Sequence, residues 1–157
     1  MEEKIVKSHI MVCSSNELSP VEHSLIDNAV EATTRSYARY SNFKVGAAVL
    51  LDNGSVVVGC NHENASFPAG ICAERSALYA AASSYPDSAP KMLAIAAKGT
   101  DGKLLEEPIL PCGICRQVIV ETETRFDCKL HILLYGQKYI YIIDGIENLM
   151  PLSFTKL

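Results

Sequence analysis

A chain of 157 residues is long enough for one compact domain with a real core and too short for two comfortable ones. With 48% hydrophobic and 20% charged residues its composition is ordinary for a globular protein, which excludes a disordered or fibrous one. A net charge of −4, an isoelectric point near 5.5 and scattered Lys and Arg leave no basic face for a nucleic-acid backbone.

The first residues, "MEEKIVKSHIMV", carry charges where a secretory leader needs an apolar stretch, and no run of eighteen apolar residues follows. A cytoplasmic protein is expected. Residues 1–18 read as an arm or an added strand, with Val6, Ile10 and Val12 partly alternating. In "LSPVEHSLIDNAVEATTRSYARY", Ser19 is a candidate N-cap, Pro20 the first helical residue and Glu22 the partner of a capping box. Val21, Leu25, Ile26, Ala29 and Val30 then make a helical stripe. "FKVGAAVLLDNGSVVVGCN" predicts two strands around Asn53-Gly54, a dipeptide that tolerates the positive φ of a tight hairpin.

From Cys72 to Ser83 the Ala, Leu and Tyr content predicts a second helix, closed by Pro86. "KMLAIAAKG" is a continuously apolar strand of the kind buried on both faces. "GICRQVIVETET" follows Pro111 as a third helix, and "KLHILLYG" and "YIYIIDG" close the chain as two strands. Only about Gln137 and Lys138 separate those two, too few for a parallel crossover, so they are expected to be antiparallel neighbours. The order of elements predicts a single α/β domain over 1–157 with helices packed on a mixed sheet.

Six cysteines, Cys13, Cys60, Cys72, Cys112, Cys115 and Cys128, allow three disulfides, but without a leader free thiols or metal ligands are the expectation. Cys112 and Cys115 form a C-x-x-C at the start of one helix, and Cys72 starts the helix before it. Helix N-termini favour thiolates, and thiolates are what zinc binds; three protein ligands leave a fourth position open, as a catalytic site requires. The C-x-x-C alone fits a redox pair equally well, and Cys60 could close a four-thiolate structural site. Cys13, Cys60 and Cys128 are more simply small buried apolar groups.

Glu74, two residues after Cys72, could be no more than a carboxylate in a first helical turn, and Arg75 no more than a solvated cation. C-x-E followed by P-C-x-x-C is, however, the three-cysteine form of the zinc deaminase signature. The chain resembles the cytidine deaminases that act on free nucleosides, in their short, homotetrameric, three-cysteine branch, from about Ser19 onward. The matching pieces are "YSNFKVGAAV", "GCNHENASF", "CAER", "PCGICRQV" and "LMPLSF".

The resemblance implies a three-layer fold with a five-stranded mixed sheet and helices on both faces. It implies one zinc on Cys72, Cys112 and Cys115, with Arg75 and Gln117 supporting the thiolates. It implies hydrolysis of cytidine and 2′-deoxycytidine to the uridine nucleosides and ammonia, in pyrimidine salvage, with Glu74 shuttling protons beside a zinc-bound hydroxide that attacks C4. Substrate contacts are expected from Phe43, Asn61, Glu63 and Ala73. In a homotetramer with shared sites, Ala65 and Phe67 would come from one neighbour and Phe154 from another.

Asn61 and Glu63 alternate on one face of an extended segment and can point at one sugar. His62, where the family usually has an aliphatic residue, should face away from them, and Phe67 stands where a tyrosine is common. A blasticidin S type deaminase shares the zinc and the glutamate, but "ENAS" favours an ordinary ribose. A polynucleotide deaminase is disfavoured by acidity and by the short link between the last two strands. A non-catalytic zinc module would have no need of Glu74 and Arg75.

Overall fold

Ser19 accepts a hydrogen bond from Glu22 N and the Glu22 carboxylate returns one from Ser19 N, and the helix they open, α1, runs over Pro20–Ala32. It stops well short of Tyr40, because Thr33 and Thr34 turn their hydroxyls onto the carbonyls of Val30 and Glu31 at 2.6 and 2.7 Å and compete with the helical ladder. The structure, a computed structural model, describes residues 1–155. Its other elements are β1 (Met11–Cys13), β2 (Lys44–Leu51), β3 (Val56–Cys60), α2 (Ala73–Ser84), β4 (Pro90–Lys98), α3 (Gly113–Phe126), β5 (His131–Tyr135) and β6 (Ile140–Asp144).

The sheet has six strands in the order β1-β6-β5-β4-β2-β3, one more than expected. The sixth is β1, paired antiparallel with β6, so part of the N-terminal arm is a strand. The alternation of Val6, Ile10 and Val12 does not mark a buried face, since all three are exposed. β5 and β6 are antiparallel, as their short link requires, and β4 and β5 are parallel, joined through α3. At the β2–β3 turn Gly54 takes φ +83°, and Asn53 Oδ1 accepts from Ser55 N at 2.9 Å.

Alternation along β4 sorts the core into two clusters. Ala94 and Ala96 meet Leu25, Ile26 and Ala29 of α1, while Leu93 and Ile95 meet Ala77, Leu78, Ile119 and Val120 of α2 and α3. The result is three layers, with α1 on one face of the sheet and α2 and α3 on the other. Both α2 and α3 begin beyond the carboxyl ends of strands, α2 after β3 and α3 after β4, and that is the edge where open α/β sheets form ligand crevices.

The helix carrying Glu74 lies unusually close to the sheet. Ala73, Ala77 and Ala81 are at most 1% exposed along its inner side. A Cβ on Gly59 of β3 would come within 2.7 Å of Ala73 O and 2.9 Å of Ala77 Cα. Gly59→Ala is therefore expected to cost about 1–3 kcal/mol by overpacking, and to lower kcat as well because α2 must move. Urea unfolding and turnover on the same preparation check this, and parent-like values in both would contradict it.

Candidate active site

The first turns of α2 and α3 converge, with Cys72 as the N-cap of one and Cys112 as the N-cap of the other. Cys112 Sγ lies 3.8 Å from Cys72 Sγ and 3.4 Å from Cys115 Sγ, and all three sulfurs lie within 4.8 Å of one another. Tetrahedral Zn–S arms of about 2.3 Å place sulfurs about 3.8 Å apart, so this donor set fits a zinc ion with one position open. Cys60 is not part of the cluster, and all six cysteines are free thiols.

The charges are arranged around those sulfurs. The Cys72 thiol is pulled down to about 5 by the hydrogen bond it shares with Cys115 and by the Arg75 guanidinium. Cys115, fully buried, is pushed upward by its hydrogen bond to Cys72 and by burial. Arg75 Nη2 donates to Cys72 Sγ at 3.7 Å, and the thiolate holds the guanidinium above its ordinary pKa. Among the described residues Arg75 Nε has no hydrogen-bond partner although it is buried. Glu74 is 4% exposed, and burial, reinforced by the Cys72 charge, raises its carboxyl above the usual range. A carboxyl that readily holds a proton beside a metal site is suited to general acid and base work.

A cavity of about 390 Å³ opens in front of the thiols, a size suited to a small organic ligand. Glu74, Arg75, Cys72 and Cys112 lie at one end and Asn61, Glu63 and Phe67 along the walls. Sequence reasoning did not single out Tyr40, Val45, Asn64, Ile71, Ile109 and Leu110, which also line it. Tyr40 stands at the head of "YSNFKVGAAV", so that piece held a signal for it. Ile109 and Leu110 gave none: their place depends on the long segment after β4, which bonds back to the β5–β6 turn through Leu105 O and Glu106 O.

Asn61 and Glu63 are held before any ligand arrives. Asn61 Oδ1 accepts from Ser36 Oγ at 2.5 Å and Val45 N at 2.8 Å, and its Nδ2 donates to Phe43 O at 3.0 Å. The Glu63 carboxylate accepts from Tyr40 N, Ser41 N and Ser41 Oγ, which lowers its pKa from the ordinary carboxylate value, the Ser41 hydroxyl contributing most. One Asn61 N–H and part of the Glu63 acceptor capacity remain for a ligand. His62 Nδ1 sits 3.2 Å from Cys60 O and 3.9 Å from Cys60 Sγ, but the residue also lines the cavity together with Asn61 and Glu63, which the expected strand alternation did not anticipate.

Other expected residues lie further off. Phe43 is half-buried at the entry to β2 and does not line the cavity, Ala73 is fully buried as the first residue of α2, and Ala65 is exposed. Phe67 lines the cavity of its own chain, edge-on to Tyr40 with ring centroids 6.4 Å apart. Phe154 is 64% exposed and outside the cavity. Gln117 Nε2 donates to Phe154 O at 2.8 Å rather than to a thiol.

Comparison with known proteins places this geometry among relatives. Residues 20–126 match the family model described as the cytidine and deoxycytidylate deaminase zinc-binding region. A cytidine deaminase of Halalkalibacterium halodurans is 43% identical over 97 residues, which are 62% of this chain and 68% of that protein. One from Sporosarcina psychrophila is 43% identical over 132 residues, covering 84% of this chain and 90% of that one. The crystal structure of cytidine deaminase from Burkholderia pseudomallei superposes with a TM-score of 0.71 at 37% identity, over 84% of this chain and 98% of that one.

Proposed function

Because the chain belongs to the family of cytidine and deoxycytidylate deaminase zinc-binding proteins, we propose that it deaminates cytidine and 2′-deoxycytidine hydrolytically, giving the uridine nucleosides and ammonia in pyrimidine salvage. The observation that carries this reading is the buried Glu74 beside three thiols gathered at two helix N-termini. Cys72, Cys112 and Cys115 would hold one zinc ion per chain; when bound, it would supply the Lewis acidity that makes water acidic enough to react near neutral pH. Water adds at C4 of the pyrimidine and the amino group leaves as ammonia. Glu74 takes a proton from that water, delivers one to N3 and carries another to the departing amino group. Arg75 draws negative charge from the thiolates, which three sulfurs would otherwise leave in excess on the metal.

Asn61 and Glu63 are assigned the ribose hydroxyls, through the donor and acceptor capacity that their bonds to residues 36–45 leave free. The resemblance assigns Phe43 and Ala73 to the substrate as well, although neither lines the cavity of the single chain. Charge favours free nucleosides over nucleotides: among the cavity-lining residues Arg75 is the one permanent cation and it is engaged with Cys72, whereas Glu63 and Glu74 are carboxylates. Ala65, Phe67 and Phe154, exposed in the single chain, are assigned to sites shared in a homotetramer. A cytoplasmic location agrees with the composition, and among the described residues no helix is long and apolar enough to cross a membrane.

The decisive assay follows loss of cytidine, 2′-deoxycytidine and blasticidin S by ultraviolet absorbance on protein whose metal content is measured in the same sample. Turnover of the first two with about one zinc per chain is expected. Inactivity on both would remove this reading.

A further inference from the structure

Two polar side chains follow the last thiol in "CRQ" and take no part in the chemistry described above. Arg116 donates from Nε to Pro111 O and from Nη1 to Leu149 O, each at 2.8 Å. The first carbonyl belongs to the peptide that leads directly into Cys112. The second belongs to a segment that is itself fixed: Leu149 is 9% exposed within the core of the α2–α3 layer, and Leu149 N bonds to Ile146 O at 2.9 Å.

Cys112 has little else to hold it. Its residue is exposed, and among the described residues the polar contacts of its sulfur are Cys72 Sγ, Cys115 Sγ and Cys115 N. Packing therefore does not orient this thiol, and its Cα–Cβ direction must come from the backbone. The Pro111–Cys112 peptide plane carries the Pro111 carbonyl on one side and the Cys112 N–H on the other, so a donor held on Pro111 O fixes the tilt of the plane that leads into Cys112. A planar guanidinium presents two donors at a fixed angle and can grip two carbonyls together, whereas an ammonium is a single flexible point charge.

We propose that Arg116 is a positioning residue for the metal site: by clamping Pro111 O to Leu149 O it sets the Pro111–Cys112 peptide plane and aims Cys112 Sγ at the other two thiols. The inference rests on the reading of Cys72, Cys112 and Cys115 as zinc ligands. It gives the C-terminal segment a task within its own chain, as the anchor against which a metal ligand is held.

The test compares the zinc-loaded parent with Arg116→Lys and Arg116→Gln, by chelator competition for zinc and by the absorption bands of the cobalt-substituted protein. Zinc binding 10 to 100-fold weaker, the usual cost of losing support behind a ligand, and shifted cobalt–thiolate bands are expected in both variants. Affinity within about 2-fold of the parent and unchanged bands would overturn the proposal, whatever happens to thermal stability, because a purely structural role would not touch the ligand field. Should Arg116→Gln fail to fold, Arg116→Lys decides by the same two readouts. A parent that binds no zinc would overturn the zinc reading itself and this inference with it, an outcome distinct from a parent and variants that bind alike.

Discussion

Glu74→Gln is expected to lower kcat by about 10³ to 10⁴-fold, the upper part of the range for general acid and base catalysis, because one carboxyl serves successive proton transfers. Glutamine keeps the volume and one acceptor oxygen but cannot take up and release a proton. Zinc content should stay near one per chain, since the carboxylate is not one of the three clustered thiols. The fold should persist, because the residue is 4% exposed, where a neutral amide is cheaper to bury than a carboxylate. Turnover, metal content and thermal unfolding on one sample check all three statements. Activity above about a tenth of the parent's would remove the assigned role.

Cys115→Ser should abolish both metal and turnover. Cys115 is fully buried where the α3 core meets the thiol cluster, and a hydroxyl there is a poor zinc ligand on a shorter arm. Zinc below about a tenth of stoichiometric is expected. The melting temperature should fall toward that of chelator-treated parent, because a ligand bound only by the folded state adds about 4 kcal/mol at a thousand times its Kd. Cys60→Ala is the control: the Cys60 thiol lies outside the cluster, so zinc should be retained. Stoichiometric zinc in Cys115→Ser, or its loss in Cys60→Ala, would mean that the ligands are assigned wrongly.

The local parts of this architecture were legible in the order of residues. Ser19, Pro20 and Glu22 announced the start of α1, and Asn53-Gly54 marked the first hairpin. The brevity of the link at Gln137 and Lys138 dictated an antiparallel closing pair. Each of these is decided by groups a few residues apart. The end of α1 was not marked, because the hydroxyls of Thr33 and Thr34 have a choice of acceptors that composition does not settle. The edge strand β1 was only half visible, since three mostly exposed residues carry almost no pattern and are held by backbone pairing to β6.

The site divides along the same line. By itself the sequence determined to which side chains the chemistry is assigned: Cys72, Glu74 and Arg75 in one short stretch, Cys112 and Cys115 in another, with the resemblance to nucleoside deaminases built on them. Their meeting was decided by the tertiary structure, because two crossover helices must start at the same edge of one sheet before sulfurs forty residues apart can lie 3.8 Å from each other. The fold also decided that Asn61 and Glu63 are braced by residues 36–45, that Ile109 and Leu110 complete the cavity, and that Arg116 grips the approach to Cys112. The alanines after Cys72 show the difference most directly: their small size is written in the chain, but its use is to bring α2 down onto Gly59, a contact between segments that no local pattern encodes.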